Sequence, residues 1–470
     1  MDLAQEPARW AAKNRRASRR RVVTLTEIMP RFRDEIRPTL SLAAPIVVGQ
    51  VSQMLMGVTD SVMIGHAGTV PLAASSFGGN VFVLFYVIGI GLMMPVAIFV
   101  ARAHGANRPE ECGEYLRHGL ALALFFGVLE TLLMGAMSLQ LAYFGQPPEV
   151  LAIVPPFFLL IATSITTVFV YLVLRQFAEA MGHPWAPMFI MIAGIALNAA
   201  LNWVFIYGHL GAPALGLTGA GISTLISRAL GAVVIFLWLR RDAAVRAAWP
   251  KRWFGHYSWT RFREMLHIGL MAAGMLLFEG SVFAASSVMI GWLGTAPLAA
   301  HQIAITCASL AFMFPLGLSM ATGMRVSRAV GAGELHRRRP IALGAFVIGL
   351  VTMSGFALMF GFGGRLIASW FVRDGAVIAL AAQLLVVAAL FQLVDGTQVI
   401  AAACLRGITD VKVPAMITFV AYWVIALPLG YLLGVRGPWG AVGMWIGIAS
   451  GLSLAAVALT MRFARLTRLH

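Results

Sequence analysis

The chain repeats itself at half its length. Ser61-Val-Met-Ile-Gly65 returns as Ser287-Val-Met-Ile-Gly291, and Gly68-Thr-Val-Pro-Leu-Ala-Ala74 returns as Gly294-Thr-Ala-Pro-Leu-Ala-Ala300. The offset is 226 residues and holds downstream without a gap: Gly91-Leu92 falls on Gly317-Leu318, Arg102-Ala103 on Arg328-Ala329, and Gly105-Ala106 on Gly331-Ala332. A duplication this long predicts two similar bundles facing each other across a central site, a plan common among transporters.

The 470 residues are 60% hydrophobic and 11% charged, with a mean hydropathy of +0.84. A soluble fold has too little interior to hide that much apolar surface, so the expected solvent is largely lipid. At about 20 residues per span, the length allows about a dozen helices. Apolar runs predict spans at 41–66, 80–103, 118–144, 150–174, 186–208, 216–239, 265–292, 302–326, 340–362, 376–404, 412–434 and 438–461. The expected fold is an all-α integral membrane protein, with 12 transmembrane helices in two six-helix lobes. Six spans return the chain to its starting side, so the repeat is parallel and the pseudo-twofold axis runs along the membrane normal. The expected divisions are a basic segment 1–40, a first lobe 41–239, a linker 240–264, a second lobe 265–462 and a tail 463–470. The linker is charged and aromatic, and a short interfacial helix is expected in it.

The net charge is +16. Its basic residues sit between apolar spans, which reads as cytoplasmic loops rather than a nucleic-acid surface. They crowd the N-terminal segment (Arg15, Arg16, Arg19, Arg20, Arg21) and the loops after every second span, as at Arg337, Arg338 and Arg339. The alternate loops 67–79, 209–215 and 293–301 carry no Asp, Glu, Lys or Arg, and Arg365, Arg373 and Arg436 are the few exceptions on that side. Both termini are therefore expected in the cytoplasm, in a bacterial inner membrane. The first forty residues lack the apolar core of a cleaved signal peptide. Cys112, Cys307 and Cys404 form no CxxC pair, so neither a disulfide framework nor a zinc site is expected.

Charged side chains within apolar spans cost at least about 2.5 kcal/mol each and need a reason. Five stand out: Asp60, Glu130, Arg228, Glu279 and Asp395. Asp60 lies two helical turns after Gln53, on a face that also carries Met56, as expected of a carboxylate lining a wet cavity. Glu279 sits near the middle of span seven. Asp395 in span ten is flanked by Gln392 and Gln398, three residues to either side. Two buried carboxylates with amides nearby form an oxygen-rich site for Na+ or a proton. The 226-residue offset sets Glu279 against Gln53 and Asp60 against Ser286, so the scaffold is duplicated and the acids are not. Asn198 and Asn202 share a face of span five. They are candidates to bind Asp60 or a ligand, or to join helices. Glu130 and Arg228 are expected to pair with each other. Pro45, Pro95, Pro315 and Pro414 mark sites of bending. The many Met and Phe side chains suit flat apolar cations wherever they line a cavity.

Walker A, GxSxG, HExxH and Rossmann patterns are absent, so no enzymatic activity and no ATP-driven pumping is expected. Active transport would then draw on an ion gradient.

Pro45-Ile-Val-Val-Gly-Gln50, Gln53 and Met56-Gly-Val-Thr-Asp60-Ser-Val-Met-Ile-Gly65 together resemble the first span of the multidrug and toxic compound extrusion (MATE) family. Ala299-Ala-His-Gln302 and Arg325-Val-Ser-Arg328-Ala-Val-Gly-Ala-Gly333 resemble the start and end of its eighth. The resemblance runs from about residue 36 to 462 and is closest to the NorM-type branch. It implies two lobes around a V-shaped cleft, with Na+- or H+-coupled antiport of amphiphilic organic cations out of the cytoplasm. It marks Glu279, Asp395 and Asp60 as the coupling acids, with Asn198 and Asn202 in span five. Gln53, Gln392 and Gln398 join them as candidate cavity or substrate residues. It implies no cofactor beyond the coupling ion, and a monomer in lipid is expected. One departure is Phe391, where some members place a Tyr, so the resemblance leaves Asp395 without a phenol oxygen. The basic N-terminal run is expected to rest on anionic lipid. Remaining alternatives are a flippase for lipid-linked precursors, an exporter of one endogenous metabolite, an integral membrane enzyme and a receptor.

Overall fold

Backbone polar groups have no water to bond in lipid, so a spanning chain must satisfy them within helices. The computed structural model describes residues 25–468 except Phe254, and its regular structure is helical. Among the described residues, twelve helices are long and apolar enough to cross a membrane. They are α1 (Leu25–Ala67), α2 (Thr69–Gly105), α3 (Pro109–Ser138), α4 (Pro148–Ala180), α5 (Trp185–Tyr207) and α6 (Gly216–Arg241). The second set is α7 (Trp259–Gly291), α8 (Thr295–Gly331), α9 (Arg338–Phe371), α10 (Gly375–Gly407), α11 (Lys412–Arg436) and α12 (Gly440–Leu466). The helices overrun most of the expected spans because polar turns extend them. α3, for example, starts with Pro109 and the acids Glu110 and Glu111, which suit a helix N-terminus. The third span stops early, at Ser138, and residues 141–144 form a 3₁₀ turn. The linker holds only a 3₁₀ turn, Arg246–Ala248, instead of the expected interfacial helix. Side chains of α3 pin it instead: Arg117 donates to the carbonyls of Arg252 (3.1 Å) and His256 (2.7 Å), and the Ser258 amide donates to His118 Nε2 (3.0 Å). The basic run at 15–21 lies outside the described residues. The three cysteines are free.

The duplication survives in backbone detail. α2 and α8 begin and end at positions 226 apart. Gly68 and Gly294, which precede them, both have positive φ (136° and 118°), a conformation glycine adopts freely. The equivalent residues that follow, Asn107 and Gly333, are both left-handed (φ 56° and 74°). Prolines act differently in the two copies. α2 is interrupted at Met94, just before Pro95, whereas α8 runs through Pro315 without a break.

Helices α1–α6 form one lobe and α7–α12 the other. Glycines bring the lobes together in symmetric pairs. A Cβ on Gly105 would lie 2.1 Å from the Arg328 carbonyl oxygen, and one on Gly331 would lie 1.9 Å from that of Arg102. Deeper in, Gly91 meets Ala273 and Gly317 meets Val47, where added carbons would lie 2.3 and 2.8 Å from the partner Cα. Each residue in one contact is the repeat counterpart of a residue in the other. Lipid supplies no hydrophobic drive between helices, so close backbone approach and polar bonds hold such a seam. Ser327 Oγ donates to the Ile98 carbonyl (2.7 Å), and Arg102 to that of Gly407 (3.3 Å). Glu35 of α1 accepts from Arg325 of α8 and from Arg337 before α9 (2.8 Å). The seam is confined to the basic end and the middle. In α1, Ala43, Pro45, Ile46 and Gly49 are buried, but no residue from 50 to 63 is. Beyond Gly49, helix α1 is only partly covered by protein toward the uncharged end.

Gly331→Leu is expected to leave each lobe intact and force the basic ends apart. Distances between spin labels on the α2–α3 and α8–α9 loops should lengthen, whereas Gly135→Leu, where a side chain meets open space, should leave them unchanged.

Candidate functional site

The first lobe is hollow. A cavity of about 530 Å³ is lined by Gln53, Met56 and Asp60 of α1, Phe82 and Tyr86 of α2, Tyr171 and Arg175 of α4, and Thr224 and Arg228 of α6, among others. Gln53, Met56 and Asp60 do share the face expected of them. Asn202 donates to Asp60 Oδ1 at 2.6 Å and to Asn198 Oδ1 at 3.3 Å, and Asn198 reaches Ser227 at 3.4 Å. This fully buried amide pair orients the carboxylate from behind and does not itself line the cavity. Gln53 bonds the Tyr86 hydroxyl. The expected Glu130–Arg228 pair does not form. Arg228 instead donates to Ser164 Oγ (2.7 Å) and lies 4.8 Å over the Phe82 ring, which satisfies its charge from the other side. Glu130 is buried, and its Oε2 has no partner. Arg175 is neutralised by Glu179 at 2.6 Å.

The second lobe is filled where the first is hollow, and the repeat explains why. Gly57, Ser75 and Gly79 line the cavity. Their counterparts 226 residues on are Phe283, His301 and Ile305. Phe283 and Ile305 pack against that lobe's apolar core. His301 is fully buried, accepts from Trp445 Nε1 (3.0 Å) and bonds Ser287 Oγ (2.7 Å). These three small-to-large exchanges put side chains where the first lobe's cavity has room.

In this filled lobe the other acids meet. Gln398 turns toward the Glu279 carboxylate, which also feels the charge of Arg406. Asp395 is buried, lies within electrostatic reach of Glu279, and leaves Oδ1 without a partner. Gln392 donates to the Ala308 carbonyl (3.3 Å), and the Oε1 atoms of Gln392 and Gln398 are unpartnered. Neither glutamine lines the first-lobe cavity. The ion pairs among the described residues engage Glu35, Glu110, Glu111, Glu114, Glu179, Glu334 and Asp410. Asp60, Glu130, Glu279 and Asp395 belong to none of them. The mid-membrane acids are thus free of the pairing that stabilises acids at the basic end.

One residue near this group escaped the sequence reading. Phe391 is buried against Trp445, with ring centroids 5.5 Å apart, and offers no oxygen. A phenol comes instead from α11: Tyr422 is buried, its hydroxyl has no partner, and both carboxylates act on it. It sits in a π-helical stretch, Val420–Ala426. Pro428 follows and cannot donate a backbone hydrogen bond. Nothing in the local sequence pattern marks that widened turn.

Comparison with known proteins agrees with this architecture. A sequence model of the MatE family matches residues 45–204 and 272–432, once in each half. A probable multidrug resistance protein NorM of Xylella fastidiosa (strain 9a5c) is 35% identical over 447 residues, covering 93% of each chain. One of the same description from Mesorhizobium japonicum is 35% identical over 449 residues, covering 93% of this chain and 95% of its own. Among solved structures, a MATE protein in a straight conformation superposes with a TM-score of 0.85 at 21% identity, covering 92% of this chain and 96% of that one. An outward-facing multidrug resistance MATE family transporter gives 0.84 at 21% identity over the same shares.

Gly79→Ile, which copies the filled lobe, is expected to fold like the parent because a side chain there meets open space. It should weaken binding of a bulky aromatic cation such as ethidium about tenfold, or about 1.4 kcal/mol, by fluorescence titration.

Proposed function

The chain belongs to the MATE family, and on that premise we propose that it is a cation-coupled multidrug antiporter, which exports amphiphilic organic cations from the cytoplasm in exchange for Na+ or H+. The observation that carries this reading is a division of labour between unlike lobes. One holds a large aromatic-lined cavity with Asp60, and the other holds a buried Asp395 and a half-buried Glu279, neither in an ion pair among the described residues.

Substrate binding falls to the first lobe. Phe82, Tyr86, Phe157 and Tyr171 present aromatic rings to a flat cation, and Asp60 supplies the counter-charge. Gln53 supplies a polar edge to that site, and the Asn198–Asn202 pair holds Asp60 in place from behind. Ion binding falls to the second lobe. A bound Na+ or proton would balance the negative charge that α7 and α10 bring to this lobe. Gln392 and Gln398 contribute neutral oxygens.

Each helix that carries one of the three acids also carries part of the seam. α7 holds Glu279 and, deeper, Ala273 against Gly91. α10 holds Asp395 and ends at Gly407, which accepts from Arg102 of the other lobe. α1 holds Asp60, Val47 against Gly317, and Glu35 bound to Arg325 and Arg337. Occupancy at the acids therefore acts on the same helices that meet at the basic end. An ion drives the exchange only as far as it prefers one lobe arrangement over the other. The positive-inside bias supports cytoplasmic termini, with the segment 1–40, the linker 240–264 and the tail 463–470 on that side, in a cell membrane.

The test uses purified protein in liposomes loaded with ethidium. Na+ gradients are imposed at constant pH, and pH gradients at constant Na+. Asp395→Asn is expected to lose gradient-driven efflux at least about tenfold while dye binding without a gradient stays near the parent value. Unchanged driven efflux would remove Asp395 from the coupling site.

A further inference from the structure

Resting on this coupling reading, we propose that the Tyr422 hydroxyl is a direct ligand of the coupling ion, and that this extra neutral oxygen makes the site select Na+ over a proton.

The argument begins with where α11 puts the residue. Two contacts dock α11 on α7: the Phe419 ring against Phe278, 5.1 Å between centroids, and Trp423 Nε1 donating to Ser281 Oγ at 3.2 Å. In sequence they bracket Tyr422 on one helix and Glu279 on the other. On its far side α11 is drawn against α12 through Gly443, Gly447 and Gly451, spaced every fourth residue. A carbon added to Gly447 would fall 2.3 Å from the Gly430 nitrogen, and one added to Gly451 would fall 2.5 Å from the Ala421 carbonyl oxygen. Tyr422 is thus fixed from both sides, 1% exposed, with nothing to bond.

The unpartnered oxygens then choose the ion. Asp395 Oδ1, Gln398 Oε1 and Tyr422 OH are all buried without a partner beside the Glu279 carboxylate. A buried polar atom left unsatisfied costs about 1–3 kcal/mol, so three in one place point to a missing ligand. A proton bonds one oxygen and hydrogen-bonds one more, which leaves others bare. A hard metal cation takes several oxygens at once, neutral ones included. Two carboxylates, an amide oxygen and a phenol oxygen make a fitting set for it. Phe391, on the same face of α10 one turn before Asp395, brings no oxygen, so the phenol from α11 is the one available.

The experiment compares the parent, Tyr422→Phe and Asp395→Asn in liposomes, with Na+ gradients imposed at constant pH and pH gradients imposed at constant Na+. Tyr422→Phe keeps the ring and deletes the oxygen. Its Na+ concentration for half-maximal ethidium efflux is expected to rise at least about fivefold, a loss of about 1 kcal/mol. Ethidium binding without Na+ should match the parent, which also reports correct folding. If the variant does not insert, Tyr422→Leu takes its place in the same assay, and thermal unfolding of the parent tests the Na+ half of the claim. Na+ should raise the midpoint in a saturable manner, and choline at equal ionic strength should not. A half-maximal Na+ concentration within about twofold of the parent overturns the proposal. So does a parent driven by pH alone and not stabilised by Na+. In that last case, loss of pH-driven efflux in Asp395→Asn would leave the coupling reading standing, whereas full activity of that variant would sink both.

Discussion

The backbone contact between Gly105 and Arg328, mirrored between Gly331 and Arg102, is the constraint on which the rest of the molecule depends. In lipid, two apolar bundles gain little from touching, so a seam has to be built from close approach and a few polar bonds. Side chains larger than hydrogen would hold the lobes apart and break the bonds at Ser327, Arg102 and Glu35. The seam is narrow and lies at one end and the middle. The lobes are therefore joined by a small set of contacts.

On that symmetric frame the chemistry is asymmetric. Glycine and serine in one copy stand where phenylalanine, histidine and isoleucine stand in the other, so one lobe encloses space and the other encloses polar atoms. The Trp445–His301–Ser287 chain plugs a position that in the first lobe is open. Asp60 keeps one firm hydrogen bond, from Asn202, and faces the cavity. Asp395 keeps a bare oxygen in a packed interior. One plan thus carries two unlike interiors.

Much of this was legible in the chain. The repeat, the twelve spans and the alternation of basic and uncharged loops follow from composition and period, because lipid punishes every departure from them. The acids were legible for the same reason: a carboxylate within an apolar run is conspicuous. The face shared by Gln53, Met56 and Asp60 followed from helical spacing alone. Contacts between distant helices were not legible. Arg228 chose Ser164 and Phe82 over Glu130, a choice set by helix packing rather than by charge. The linker showed amphipathic composition and proved to be a stretch tied down by Arg117 and His118. Tyr422 was hidden because a π turn rotates its side chain away from the face that a regular helix would give it. The hollow of the first lobe was in principle readable, since the aligned repeats show small residues facing large ones, but only with knowledge of which faces point inward.

The paired glycines carry a further implication for how such a molecule arises. When two identical subunits meet about a twofold axis, a single substitution alters the interface at two points. One glycine in an undivided ancestor would therefore have created both close approaches at once, and fusion of two gene copies would have inherited a working joint. Afterwards the copies diverged around it: Gly91, Arg102 and Gly105 still answer to Gly317, Arg328 and Gly331, whereas Glu35, Ile98, Phe99 and Ala101 answer to Arg261, Met324, Arg325 and Ser327.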